Sequence, residues 1–268
     1  ALRTALPDPV PIDPLTDLAL LQYTGGTTGT PKGAMLTHQN LSANARQINL
    51  VDPHRHDRDV IIGVLPFFHV FANACVLNRT VCNGGTIAML PRFEAHKTLE
   101  TIARVRATSM PGVPTMYQAL LDDAAIDGTD FSTLDTCISG GAPLPGPVRD
   151  RFEAHTGARL IEGYGLTECS GVASTNPYRD GARIGTIGNR PDAAATAFVE
   201  RDGTRWLRTG DIAVIDPDGH VRIVDRSKDM IAVGGFKVFP SQVEAVLLEN
   251  PAVREVLVLG MPDAYHGE

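Results

Sequence analysis

Over the first two-thirds of the chain, short apolar runs alternate with stretches in which apolar residues recur every three or four positions. The runs Leu18–Tyr23, Val60–Val64, Thr86–Leu90, Leu134–Ser139 and Arg159–Glu162 predict strands of a largely buried sheet. Between them, Thr37–Leu50, Val70–Cys82, Lys97–Arg106, Thr115–Leu121 and Pro147–His155 predict helices, with Thr37 as an N-cap. This alternation predicts an α/β fold: a large N-terminal domain of mixed and parallel sheet flanked by helices.

The pattern changes after Pro177. IAVIDPDGHVRIVDR (212–226) alternates apolar and polar residues around a DPDG turn and predicts a β-hairpin. A charged joint, DRSKD, follows, then a helix at Pro240–Glu249 and a strand at Glu255–Leu259. The expected organisation is 1–188 for the bulk of the N-terminal domain, with 189–226 a small β element closing it. Residues 227–268 would be a hinge and the start of a small α+β C-terminal domain, with the boundary near Lys228. RFEAH occurs twice, at Arg92–His96 and Arg151–His155, but its surroundings differ, so it is not an internal repeat.

Chemistry concentrates first in YTGGTTGTPKG (23–33), which follows the apolar run LALLQ. Four glycines and four threonines in eleven residues, leaving what reads as a buried strand, can aim backbone N–H groups and hydroxyls at one anion. The glycines let the main chain approach closely and Lys32 adds a charge. The pattern is not that of a P-loop NTPase, because Lys32 precedes Gly33 and follows Pro31.

YTGGTTGTPKGAMLTHQN closely resembles the phosphate loop of the acyl-adenylate-forming (AMP-binding) superfamily, and five further segments follow in that family's order. LPFFHVFA (65–72) resembles the segment beside the acyl pocket, ISGGAPLP (138–145) the adenine-site loop and EGYGLTE (162–168) the nucleotide and magnesium motif. LRTGD (207–211) resembles the ribose motif, and DRSKDMIAVGGFKVFPSQVE (225–244) the hinge and the loop after it. The resemblance is closest to bacterial long-chain fatty acyl-CoA synthetases. It implies an enzyme that adenylates a fatty acid or other carboxylate with ATP, then transfers the acyl group to coenzyme A.

By that resemblance, Thr24, Gly25, Gly26, Thr27, Thr28 and Lys32 would grip the β and γ phosphates, and Thr167 would reach the α-phosphate. Glu168 would hold Mg2+; Lys32, Thr167 and Glu168 are the catalytic candidates. Gly140, Gly141, Ala142, Tyr164 and Gly165 would line the adenine, while Asp211 and Arg226 would take the ribose hydroxyls. Phe68, His69 and Gly163 would line the acyl pocket. His69 has two readings, a buried, hydrogen-bonded structural histidine or a gate near the substrate carboxylate. Lys228 would be the hinge, and Gly234, Gly235 and Phe236 would line the coenzyme A tunnel.

The sequence also departs from the family pattern. No large segment precedes the phosphate loop, the text jumps between Gly188 and Asn189, and no residue takes the role of the family's C-terminal catalytic lysine. An incomplete chain is the expectation, with exposed sheet edges. A fatty acyl-AMP ligase loading a carrier protein and an inactive nucleotide-binding fragment are the alternatives.

Bulk properties narrow the partners. The net charge of −7 and pI of about 5.6, with no basic stripe, exclude a nucleic-acid binder. Four scattered cysteines without a CxxC pair favour a reduced, cytoplasmic protein. Peripheral membrane contact and a homodimer stay open. DPHRHDRD (52–59) reads as a solvated turn in preference to a metal loop.

Overall fold

The computed structural model describes residues 10–24, 32–51, 58–178, 186–187, 198–201, 203–207, 209–227, 229–233, 236–250 and 252–261. The fold is α/β. Its centre is a six-stranded sheet of order β4-β3-β5-β6-β7-β8: β3 (Val60–Gly63), β4 (Thr86–Met89), β5 (Ser109–Gly112), β6 (Thr136–Ser139), β7 (Arg159–Leu166) and β8 (Gly171–Thr175). The first five run parallel, and β8 pairs antiparallel with β7.

Helices cover both faces. On one, α4 (Ala95–Val105), α5 (Pro114–Asp122) and α6 (Gly146–Thr156) bury Leu99, Ile102, Tyr117, Leu120 and Phe152 against Ile62, Met110, Cys137 and Leu160. On the other lie α1 (His38–Val51) and a second helical stretch. That stretch begins as α2 (Val70–Ala72), passes through a π-helix (Asn73–Asn78) and ends as α3 (Arg79–Asn83), where one helix over 70–82 is expected. The wider π turn brings Ala74 and Cys75 against Ile48 of α1. Asn44 of α1 bridges to β8, donating to Val172 O (2.8 Å) and accepting from Val172 N–H (3.2 Å).

Thr37 caps α1 as expected, since its hydroxyl takes the Asn40 N–H while Asn40 Oδ1 takes the Thr37 N–H. The strand over Leu18–Tyr23 is β1 (Leu18–Thr24), but it is not buried. It forms a separate two-stranded sheet with β2 (Lys32–Thr37), whose outer face leaves Leu21, Tyr23 and Met35 exposed. Strand β5 runs against the sequence rule that proline breaks a central strand, because Pro111 sits inside it.

Past the main sheet, β9 (Phe198–Arg201) and β10 (Thr204–Leu207) make a hairpin around Gly203, a D-G signal the strand reading passes over. The expected hairpin is β11 (Asp211–Ile215) with β12 (Val221–Arg226). Strands β13 (Ile231–Val233) and β14 (Phe236–Val238) and helix α7 (Pro240–Leu248) follow. Residues 255–259 are not a strand. They find no partner strand among the described residues, and Val258 N–H goes instead to Glu244 of α7 (2.8 Å). Among the described residues no helix is long and apolar enough to cross a membrane.

Candidate functional site

The strand order reverses direction at β3, with β4 to one side and β5, β6 and β7 to the other. Connections diverge there, and in open α/β sheets ligands favour the region beyond the carboxyl ends of such strands, here β3 and β5. Pairing between these strands is confined to Ile61↔Ser109, and Pro111 has no N–H to extend it. Three segments follow these strand ends: Leu65–His69 after β3, Val113 after β5 and Gly140–Leu144 after β6.

The GYGL segment is the outer half of β7, bent by an irregular register between Tyr164 and Gly165 where β8 folds back on it. Gly165 is required by close approach, because a Cβ there would lie 2.1 Å from Gly171 O. Gly140 meets a similar limit, with the Phe71 ring at 3.1 Å and Gly163 O at 3.3 Å from a Cβ.

From the bend, the Tyr164 hydroxyl donates to Asp211 Oδ2 at the start of β11. Asp211 lies opposite Arg226 in the β11–β12 register, and Arg226 Nε is 3.4 Å from Asp211 Oδ1. The Asp211 side chain is only 5% exposed, whereas Arg226 is 59% exposed and free to turn toward a ligand. Its turn is fixed by the Asp211 N–H on Thr209 Oγ1 (3.0 Å) and by Gly210 at φ +81°. Burial and the Asp211 carboxylate hold the Tyr164 phenol well above its usual range, so it stays a donor.

A 3-10 turn, Thr167–Cys169, ends β7 and packs against β2, the strand that begins with Lys32. Thr24 pairs with Lys32, so residues 25–31 connect the two strands of a hairpin. Thr167 and Glu168 are both half-buried. Burial, then the charge of Glu168, pushes the Cys169 thiol up to about 11, which keeps it protonated beside the acid.

Three distant segments thus converge on one buried carboxylate beside a phenol and a guanidinium, and a lysine-headed strand packs on an acidic turn. The sequence model of the AMP-binding enzyme family matches residues 2–226. The chain belongs to the AMP-binding enzyme family.

Among relatives of this AMP-binding chain, the long-chain-fatty-acid–CoA ligase of Bacillus subtilis is 37% identical over 297 residues, covering 96% of this chain and 52% of the relative. ATP-bound MatB from Rhodopseudomonas palustris superposes with a TM-score of 0.81 at 34% identity, covering 94% of this chain and 56% of that one. The O-succinylbenzoate coenzyme A synthetase of Bacillus subtilis, in complex with ATP and magnesium, gives a TM-score of 0.77 at 28% identity and 92% and 58% coverage. The chain therefore spans about half the length of the relatives it matches. The first alignment is longer than the chain itself, so that relative carries residues with no counterpart here.

Within this AMP-binding fold the expected site residues fare differently. Tyr164, Asp211 and Arg226 are in contact, while Gly140, Gly163 and Gly165 lie on the adjoining strand ends. Gly141 and Ala142 are exposed on the loop after β6. His69 is not buried: it is exposed and caps α2, its Nδ1 accepting the Phe71 N–H at 3.2 Å. Phe68 is 80% exposed, and its carbonyl accepts from Gln22 of β1 (2.8 Å). The aromatic of this segment that packs onto the sheet is Phe71, against Ile138, Ile161 and Tyr178. Gly25, Gly26, Thr27, Thr28, Lys228, Gly234 and Gly235 lie outside the described residues, as does most of the 52–59 turn. Phe236 is placed as the first residue of β14.

Sequence reasoning passed over Phe71, Thr209 and Glu162. Glu162 carried one signal, a lone acid directly after the apolar pair Leu160–Ile161. Burial raises its pKa to about 7, the Leu144 N–H acting in the opposite sense.

Proposed function

We propose that this chain supplies the nucleotide and acyl sites of an ATP-dependent acid–thiol ligase. A fatty acid carboxylate attacks the α-phosphorus of ATP and pyrophosphate leaves. The thiol of coenzyme A then attacks the acyl carbon and AMP leaves. The observation that carries this reading is the Tyr164–Asp211–Arg226 contact. A desolvated carboxylate is suited to accept two neighbouring ribose hydroxyls, an adjacent guanidinium can donate to the same sugar, and the Tyr164 ring offers the adenine a flat surface.

The first half-reaction brings two anions together, so positioning and positive charge do most of the work. Lys32, with Thr24 and the Gly/Thr loop after it, would take the terminal phosphates, and Thr167 the α-phosphate. The half-buried Glu168, set beside the lysine-bearing strand, fits a hard cation: it would hold a magnesium ion that neutralises phosphate charge. Gly140, Gly141 and Ala142 would border the adenine through main-chain groups. The region beyond the strand ends, with Phe71 and Gly163 on the sheet side and the exposed Phe68 and His69 on the solvent side, would take the alkyl chain.

Lys228 would be the pivot between half-reactions, and Gly234–Phe236 the path of the coenzyme A arm. The preference for a fatty acid rests on the long-chain-fatty-acid–CoA ligases among the relatives and on the apolar PFFHVFA segment. The test is to incubate the purified protein with ATP, magnesium and a panel of fatty acids. AMP and pyrophosphate are the expected products, and ADP would overturn the proposal.

A further inference from the structure

Among the described residues β1 and β2 pair only with each other, so no strand ladder sets the height of their hairpin against the six-stranded sheet. The base of the hairpin is held, because His38 N–H donates to Asp17 O (3.4 Å), Gln39 N–H donates to Pro14 O (2.8 Å), and both strands pack on α1. At the opposite end Thr24 pairs with Lys32, and the Gly/Thr loop of residues 25–31 begins. Side chains must therefore place that end.

Along β1 the half-buried positions are Leu20, Gln22 and Thr24, every second residue, so the three side chains share the inner face. Leu20 lies opposite the buried Leu36 in the register, and Gln22 lies opposite the small Ala34. A polar side chain on an inner face has to find a partner. Gln22 finds one 46 residues away, where its Nε2 donates to Phe68 O at 2.8 Å.

The Phe68–His69 peptide is thereby held at both ends, since His69 N–H donates to Pro66 O at 2.9 Å. From that peptide the chain enters α2, where His69 Nδ1 takes the Phe71 N–H and the Phe71 ring packs on Ile138 and Ile161 of the main sheet. Gln22 thus connects a hairpin outside the main sheet to a segment anchored on it.

Attack of a carboxylate on phosphorus needs the reacting atoms held about 3–3.5 Å apart, and a misplacement of about 1 Å can cost on the order of a hundredfold in rate. Two elements with separate anchors keep such a separation only when something joins them. We infer that Gln22 is a positioning residue: it ties the hairpin that leads into the proposed phosphate loop to the segment after β3 proposed to border the acid, and so sets the spacing of the two reactants. The catalytic consequence rests on the proposed function, whereas the tie rests on the hydrogen bond alone.

Amide hydrogen exchange at His69 in the unliganded protein reads the tie. Gln22→Met keeps the length and removes the donor; Gln22→Lys keeps a donor. Gln22→Met is expected to speed exchange at His69 about fivefold, with Gln22→Lys within about twofold of wild type and the Cys137 and Ile138 amides unchanged in both. Wild-type exchange at His69 in Gln22→Met overturns the inference, as does equal acceleration at Cys137 and Ile138.

Pyrophosphate release with ATP, magnesium and the fatty-acid panel reads the consequence. Gln22→Met is expected to lower kcat about tenfold while KM for ATP and for the acid stays within about twofold. A raised KM for ATP with kcat held would make Gln22 part of a binding surface and overturn the positioning role, as would a wild-type kcat. If wild type releases no pyrophosphate with any acid of the panel while His69 still responds to Gln22→Met, the proposed function fails and the tie stands.

Discussion

Gly165→Ala is the substitution whose outcome the structure constrains most tightly. The new Cβ would stand 2.1 Å from Gly171 O and 2.9 Å from Gly171 C, both backbone atoms of the neighbouring strand. No side chain can swing away to relieve this, so β7 and β8 must part by roughly 1 Å to reach ordinary contact. Overpacking of this kind costs about 1–3 kcal/mol, and each ladder hydrogen bond stretched beyond use adds about 1 kcal/mol. A total near 3–4 kcal/mol should lower the melting temperature by on the order of 10 °C in a protein of this size. Gly146→Ala is the matched control. Nothing lies within 4 Å of a Cβ at that position, which is the first residue of α6, so its melting point should hold or rise slightly. The assay is thermal unfolding of both variants beside wild type. If Gly165→Ala melts within 2 °C of the control, the bend that carries Tyr164 is not locked by β8, and the contact with Asp211 loses its structural basis.

Other outcomes follow from single contacts. Arg79→Met leaves the Asp59 carboxylate buried, with Thr108 and Ser109 but without its cation 2.9 Å away. It should cost about 3–5 kcal/mol in urea unfolding, and a cost below 1 kcal/mol would mean the pair is hydrated in solution. Glu162, with a folded pKa of about 7 against an ordinary 4.5, is held protonated by burial. The folded state thus binds the proton more tightly, and this contribution is complete below pH 4.5, falls as pH rises and is gone above 7. It amounts to up to about 3 kcal/mol. Glu162→Gln should flatten the stability profile between pH 4.5 and 7, and an unchanged slope would refute the burial. Tyr164→Phe removes a hydrogen bond to a carboxylate and should lower stability by about 1.5 kcal/mol in thermal unfolding; an unchanged melting point would place the phenol in water. Asp225 is 6% exposed, and its carboxylate receives the Ser241 N–H at the start of α7 (3.0 Å). Asp225→Ala should therefore speed exchange at Ser241 about tenfold, and wild-type protection there would show that another group caps the helix.

The alternation of apolar runs and helical periods sufficed to place β1, β3, β4, β6, α1, α4, α5 and α6 near their observed bounds, because burial on a sheet or a helix face is a local periodic demand. The Thr37 cap and the DPDG hairpin were legible for the same reason, since turn and cap chemistry acts within a few residues. The motif segments also marked where chemistry concentrates, down to Tyr164, Asp211 and Arg226. Contact was a different matter. Asp211 meets Tyr164 because β8 turns β7 back on itself, and neither β8 nor β5, with its interior Pro111, follows from local pattern. Partner choice also decided burial. LALLQ reads as a core strand, yet among the described residues it pairs only with β2 and leaves one face open, while His69 in an apolar run turns outward to cap α2. The opposite case is Glu162, an acid inside β7 whose carboxyl burial pushes up to about 7. Periodicity records which residues favour burial. Which of them are buried, and which carboxylate ends beside which donor, depends on pairings between segments far apart in sequence, and only the folded chain decides those.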